Sequence, residues 1–388
     1  MKLPEDVCHW LARRYQNQHR DWLGSAGGAG RWPLEIALGT PTEQAALAQW
    51  EGVSAWQAAW QTWRGVGELV WCERRWRTTG TQRLPEKLLL NGPQEVAHWA
   101  GEAQRWSRAS ARHAALVERW PALAASLSRH FDMLAEYGDA DFQRLIDMLS
   151  WIIAHPGSRL YPRQLPIAGL DSKWLESRKG LVADLVTGIR GELRGERDFF
   201  QLCGLKAPPE LMRLRILDAA MRSRVGGLGD ITAPWEQVAG MDILPTHVFI
   251  VENLQTGLAF DDLPGAVVIM RLGYGVEVLG RLPWLARARC LYWGDLDTHG
   301  FAILNRARAY LPAVESVLMD QDTLLNHREW WVAEKEPHQA EGLGLLSSAE
   351  QAVYLTLKAN QWGRNVRLEQ ERIPWDVAWR AVRQALHR

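Results

Sequence analysis

The stretch Leu291-Tyr292-Trp293-Gly294-Asp295-Leu296-Asp297-Thr298-His299-Gly300 carries an apolar run into two aspartates two positions apart. In an extended chain residues i and i+2 face the same way, so both carboxylates can address one cation. Upstream, His247-Val248-Phe249-Ile250-Val251-Glu252-Asn253 repeats the pattern, with a β-rich apolar run that ends in Glu252. Strand ends line the ligand crevice of an open parallel sheet. Glu252, Asp295 and Asp297 are therefore candidate ligands for magnesium, a hard cation that prefers carboxylate oxygen and commonly serves phosphate chemistry. A plainer reading stands beside this one: Asp297 or Thr298 can simply cap the helix that follows.

The flanking sequence predicts an α/β fold. Thr246–Val251, Ala266–Met270, Cys290–Gly294 and Val314–Asp320 read as strands, because short continuous apolar runs rich in Val and Ile suit buried parallel strands. Thr298–Tyr310 reads as a covering helix, with Pro312 stopping it before the last strand.

Glu252 followed by Asp295-x-Asp297 on consecutive α/β elements resembles a Toprim domain, the module shared by topoisomerases, primases and some nucleases. Longer strings narrow the resemblance. Phe249–Asn253, Tyr292–Leu304 and Arg367-Leu368-Glu369-Gln370-Glu371-Arg372-Ile373-Pro374 are similar to the JetD family, with further agreement at Gly169–Glu176, Met319-Asp320, Leu324, His327-Arg328, Pro33–Gly39 and Thr81–Pro85. That family supplies the nuclease subunit of Wadjet plasmid defence and is related to the A subunits of type IIB topoisomerases. The resemblance implies a C-terminal Toprim domain, a central winged-helix-like CAP domain and a mainly helical N-terminal arm. It implies a homodimer that cuts double-stranded circular DNA beside an SMC-like ATPase complex. It also implies that Glu252, Asp295 and Asp297 hold Mg²⁺, with Mn²⁺ as a substitute. Topoisomerase relatives form a covalent bond to DNA through a tyrosine; Tyr161 is the candidate here, although no surrounding motif marks it as a nucleophile.

Composition sets limits. The chain has 388 residues, 47% of them hydrophobic, enough for two or three globular domains. The expected boundaries are 1–126 for the arm, 127–240 for the CAP-like domain, and 241–388 for the Toprim domain with its extension. No window approaches a membrane span, and Met1–Asp6 opens without a signal-peptide core. Cys8, Cys72, Cys203 and Cys290 are widely spaced, which fits a reducing cytoplasm and neither a zinc cluster nor a disulfide framework. No G-x-x-x-x-G-K-[ST] string occurs, so ATP use belongs to a partner. Net charge is zero, which gives no compositional support for DNA binding. A local positive face remains open to Arg271, Arg281, Arg287, Arg289, Arg306 and Arg308, opposed in that interval by Glu277, Asp295 and Asp297.

The first 120 residues hold 12 of the 22 tryptophans. Glu51–Trp76 and Glu95–Ser126 read as helices, with Gly65 and Gly67 weakening the first, and tryptophans recurring on helices point to packing or partner contact before base stacking. In the middle region Phe142–Ile153 and Asp171–Ile189 read as helices, with Asp171 as a cap, and Leu160–Ile167 reads as extended. Leu211–Leu217 alternates apolar and basic residues like a half-exposed strand. Lys173, Arg178 and Lys179 could meet phosphate or form a solvated face. Glu369 and Glu371 are assigned no metal role, and His299 reads as a satisfied structural histidine near the acidic pair. Two other functions remain open: a topoisomerase-like covalent strand breaker and a noncatalytic DNA-binding scaffold.

Overall fold

The computed structural model describes residues 1–25, 30–191 and 198–387. It divides into two units, Met1–Pro208 and Pro209–Arg388. The first is mostly helical and the second is mixed α/β.

In the first unit, α1 (Pro4–Gly24) starts with proline in its first turn, where a missing N–H costs nothing, and Asp6 accepts the Leu3 N–H at 2.8 Å. Then come β1 (Leu34–Ala37), α2 (Trp50–Thr62), β2 (Glu68–Trp76) and β3 (Gly80–Leu90). The three strands form an antiparallel sheet in the order β1-β3-β2. Pro85 lies in the middle strand but lacks a backbone donor, and the β2–β3 register shifts beside it, between Val70 and Trp71. The expected helix over Glu51–Trp76 is therefore corrected. It stops at Thr62, Gly67 turns at φ 108°, and Glu68–Trp76 pairs as a strand.

The expected helix Glu95–Ser126 is also broken. Gly101, at φ 75°, separates α3 (Pro93–Trp99) from α4 (Ala103–Arg119), which ends before Pro121. Further on, α5 (Asp139–Ala154) covers the helix expected at Phe142–Ile153. Leu160–Ile167 contains a 3₁₀ turn at Pro162–Gln164 and joins no sheet among the described residues. The segment 171–189 is two helices, α6 (Ser172–Glu176) and α7 (Lys179–Arg190), and Asp171 does cap the first by accepting from Trp174 N–H at 2.8 Å.

One apolar core runs through this unit from Val7 to Leu205. Leu123, Leu127 and Phe131 are all fully buried in it, so a boundary at 126/127 cuts through shared packing. The buried tryptophans serve that core. Trp56 and Trp60 are 1% exposed, and both indole N–H groups donate to the Lys2 carbonyl, at 2.8 and 2.9 Å.

The second unit is built on a six-stranded sheet in the order β5-β4-β7-β6-β8-β9. Its strands are β4 (Leu211–Ile216), β5 (Asp230–Pro234), β6 (His247–Val251), β7 (Ala266–Met270), β8 (Arg289–Trp293) and β9 (Glu315–Ser316). β7, β6, β8 and β9 are parallel, and β4 runs antiparallel between β5 and β7. All five β7 residues are buried, as are four of five in β6 and in β8, which is why these strands read as unbroken apolar runs. The β4–β5 hairpin belongs to this sheet. The expected boundary at 240/241 therefore moves to 208/209, and the small β element is not part of a module ending at residue 240.

Between these strands lie α8 (Leu254–Ala259), after β6, and α9 (Thr298–Tyr310), after β8. The strand expected over Val314–Asp320 shrinks to β9, because Leu318 takes φ 58° and Asp320 instead caps the next helix. The chain closes with β10 (Val332–Ala333), α10 (Ser348–Lys358), β11 (Val366–Arg367) and α11 (Trp375–Ala385). β10 and β11 form a separate antiparallel pair. Among the described residues no helix is long and apolar enough to cross a membrane, and all four cysteines are free.

Candidate functional site

β6 and β8 are neighbours, but the chain leaves them in opposite directions. From β6 it passes through α8 to β7 on one side; from β8 it passes through α9 to β9 on the other. This reversal opens a crevice at the carboxyl ends of the two strands, where α/β sheets bind ligands. Glu252 directly follows β6, and Asp295 and Asp297 follow β8. All three line one cleft of about 640 Å³, together with His299, Glu334, Glu336, Arg367 and Glu369. The structure thus brings the three predicted carboxylates to one place.

Each carboxylate is held by specific donors. Tyr292, next to the last residue of β8, donates its hydroxyl to Glu252 Oε1. Asp295 Oδ1 accepts the Gln370 backbone N–H at 2.9 Å. Asp297 caps α9, its Oδ1 accepting from Gly300 N–H at 2.7 Å, so the plainer capping reading is realised alongside its place in the cleft. Gly300 sits where any side chain would strike the Asp295 carbonyl, and Gly294 where it would strike the Glu252 carboxylate and the Tyr292 ring.

Burial dominates the electrostatics. It pushes the Glu252 carboxyl up to about 8; the Tyr292 hydrogen bond opposes this, and nearby Asp295 and Asp297 reinforce it. Glu252 keeps part of its surface open to the cleft, but its carboxyl lies among protein atoms. Asp297 is raised to about 6, again chiefly by burial, with the Gly300 N–H opposing and the charges of Glu334 and Asp295 adding. The buried Tyr292 hydroxyl is raised well above its ordinary value by burial and by Glu252.

Five residues that sequence reasoning did not place here complete the site. Arg367 reaches Asp295 Oδ2 with Nη2 at 2.6 Å and Asp297 Oδ2 with Nε at 3.2 Å. The Nε contact is of ion-pair length but lacks hydrogen-bond geometry, which leaves that N–H without a hydrogen-bond acceptor. Gln370 ties the two strand ends together: its side-chain oxygen accepts the Asn253 N–H at 2.8 Å, and its amide donates to the Trp293 carbonyl. Glu371 accepts from the Asn253 side chain at 2.9 Å. The buried Glu334 accepts from the Thr298 hydroxyl at 2.7 and 2.9 Å, and the fifth addition, Tyr292, is described above. One signal was available in the sequence. Val366, Leu368 and Gln370 alternate as buried residues, so a glutamine occupies an otherwise apolar position.

His299 is a satisfied histidine, bonded to the Tyr274 hydroxyl through Nδ1 and to the Glu336 carbonyl through Nε2 at 2.8 Å. Most of the flanking arginines are already engaged. Arg289 pairs with Glu315 at 2.6 Å, Arg306 with Glu277 at 3.2 Å and Arg308 with Glu350 at 2.5 Å, while Arg281 lies over Trp235. In the first unit Arg178 pairs with Asp141 at 3.4 Å and Lys179 lies over Phe200. Tyr161 also lies in the first unit, with the Lys206 ammonium 4.7 Å from its ring centre.

The donor set is entirely carboxylate oxygen, which suits a hard divalent cation. The glycine at 294 keeps the space before Glu252 clear. The three carboxylates share the cleft without converging on one point, and among the described residues no group of three or more His, Cys, Asp and Glu side chains stands ready to hold a metal ion. In chemical kind the residues fit the cation; in placement Arg367 stands between the two aspartates.

A largely parallel sheet with an acidic cleft at its switch point places the second unit in the class of α/β proteins that bind ligands at the carboxyl ends of their strands. Two family models divide the chain. Residues 4–187 match "Uncharacterized protein conserved in bacteria N-term (DUF3322)", and residues 204–382 match "Wadjet protein JetD, C-terminal". The N-terminal half thus carries the DUF3322 region, and the C-terminal half carries that of the Wadjet protein JetD family model. No curated protein matches it.

Proposed function

We propose that this chain is a metal-dependent DNA endonuclease, the nuclease subunit of a plasmid-defence complex. The observation that carries the reading is the meeting of Glu252, Asp295 and Asp297 in one cleft at the sheet's switch point. The matched family, named for the Wadjet protein JetD, supports the defence role. On this reading the second unit is the Toprim domain, and the helices between residues 127 and 208 are what the chain offers as a CAP-like module. The partners are double-stranded circular DNA, an SMC-like ATPase complex and a second copy of the chain.

Glu252, Asp295 and Asp297 would hold Mg²⁺ or Mn²⁺. When bound, the cation lowers the pKa of water and offsets charge on the phosphate oxygens during hydrolysis. The chain's own residues prepare that chemistry. Tyr292 fixes the orientation of Glu252. Gly300 and Gln370 N–H groups each bind one oxygen of an aspartate and leave the other for the ligand. Gln370 also links the end of β6 to that of β8, which sets the spacing of Glu252 from the aspartates.

The test is cleavage of closed circular DNA by the full chain with its partner complex. Cleavage is expected in Mg²⁺ or Mn²⁺, with loss in EDTA and recovery on adding metal back. Undiminished cleavage in EDTA, with metal removal verified by elemental analysis, overturns the reading.

A further inference from the structure

The oxygens that Asp295 and Asp297 can offer a ligand are the ones Arg367 already holds. Asp295 Oδ1 is bound by Gln370 N–H at 2.9 Å and Asp297 Oδ1 by Gly300 N–H at 2.7 Å. Both Oδ2 atoms remain, and both face Arg367, at 2.6 and 3.2 Å. A cation that uses this pair must take those oxygens from the guanidinium.

The guanidinium is placed to yield. Its Nε is buried without a hydrogen bond, so its grip on Asp297 is incomplete. Its side chain is 35% exposed, which leaves room to move. A second seat is close: Glu369 Oε1 lies 3.5 Å from Nη2, while Arg372 holds the other Glu369 oxygen at 2.9 Å. Leu296 and Leu368 pair their backbones, which keeps the Arg367 segment against the Asp295 segment whichever seat the side chain takes.

We propose that Arg367 competes with the cation at this site: it occupies the two Oδ2 atoms until a divalent cation arrives and shifts to Glu369 when the cation binds. The inference rests on the metal-site reading above and predicts a competition between one side chain and the metal. Guanidinium–carboxylate contacts are among the stronger hydrogen bonds, so the competition measurably weakens metal binding.

The experiment is Mn²⁺ titration of the full chain, by calorimetry or electron paramagnetic resonance, for wild type, Arg367→Gln and Arg367→Lys. Arg367→Gln should bind Mn²⁺ roughly tenfold more tightly than wild type, the weight of one charge-assisted hydrogen bond. Arg367→Lys, which keeps a charge but not the two-pronged grip, should fall between them. Thermal melting in EDTA shows whether each variant folds, and a folded Lys variant decides the matter if the Gln variant does not fold. Unchanged or weaker Mn²⁺ binding in folded variants overturns the competition while leaving the metal site standing. No Mn²⁺ binding by the wild type or either variant removes the metal-site reading itself, and this inference with it.

Discussion

Glu252 is a carboxyl whose charge the fold resists. Burial raises it from 4.5 to about 8, so the folded chain binds this proton more tightly than the unfolded chain does. The stability tied to the protonated form is fully present below pH 4.5 and is lost as pH rises through about 8. In EDTA, Glu252→Gln should therefore melt higher than wild type at pH 8.5, by an amount on the order of a few kcal/mol at most, and the gap should close toward pH 5. Thermal melts at the two pH values check this; an equal gap at both would rule out burial of the charge as its source. A ligand must be ionised, so Mn²⁺ affinity should climb between pH 6 and 8.5, as Asp297 and then Glu252 lose their protons. A flat affinity over that range would mean that neither group binds the ion. The three acids were legible because each ends an apolar run. Tyr292, Arg367 and Gln370 were not, because their contacts to Glu252, Asp295 and Trp293 span 40, 72 and 77 positions, and one sequence does not display pairings at that range.

At the scale of elements, the turn leaving β8 is the most demanding piece of backbone. A Cβ on Gly294 would lie 2.8 Å from the Tyr292 hydroxyl and 2.9 Å from its ring, as well as against the Glu252 carboxylate. Gly294→Ala should turn Glu252 out of the cleft and weaken Mn²⁺ binding at least tenfold. Overpacking of this kind costs about 1–3 kcal/mol, so the melting temperature should drop by several degrees while the fold survives. Titration and melting of one variant test both parts, and unaltered Mn²⁺ affinity would show that the glycine is not needed to keep the site clear. β6, β7 and β8 were readable because both faces of the sheet are covered, which makes every position after the first of β6 and β8, and all of β7, buried and almost wholly apolar. Glu68–Trp76 was misread because its exposed Glu73, Arg74 and Arg75 have the polarity of a helix surface, and the turn at Gly67 was treated as a weakness in a helix. The end of the expected strand Val314–Asp320 was lost because a left-handed Leu318 ends the extended run.

At the scale of the molecule, the core of the first unit decides where the chain can be cut. A fragment starting near Phe131 would keep half of a core that extends from Val7 to Leu205, exposing Phe131, Leu145 and Leu149 among others. That fragment should aggregate or lose cooperative melting. A fragment of residues 209–388 keeps the whole six-stranded sheet and its own core, and should melt cooperatively. Circular dichroism on both fragments separates these outcomes; cooperative melting by the longer one alone would reverse the assignment. The division at 208/209 was invisible in the sequence because Leu211–Ile216 alternates like a hairpin of a small module, and only its pairing with β7 assigns it to the larger sheet. The account as a whole rests on the acids of that sheet. Its most direct test is cleavage of closed circular DNA in Mg²⁺ by the full chain and its partner complex, comparing wild type with Asp295→Ala. The account predicts that wild type cuts the DNA and that folded Asp295→Ala does not; cleavage at the wild-type rate by the folded variant would contradict it.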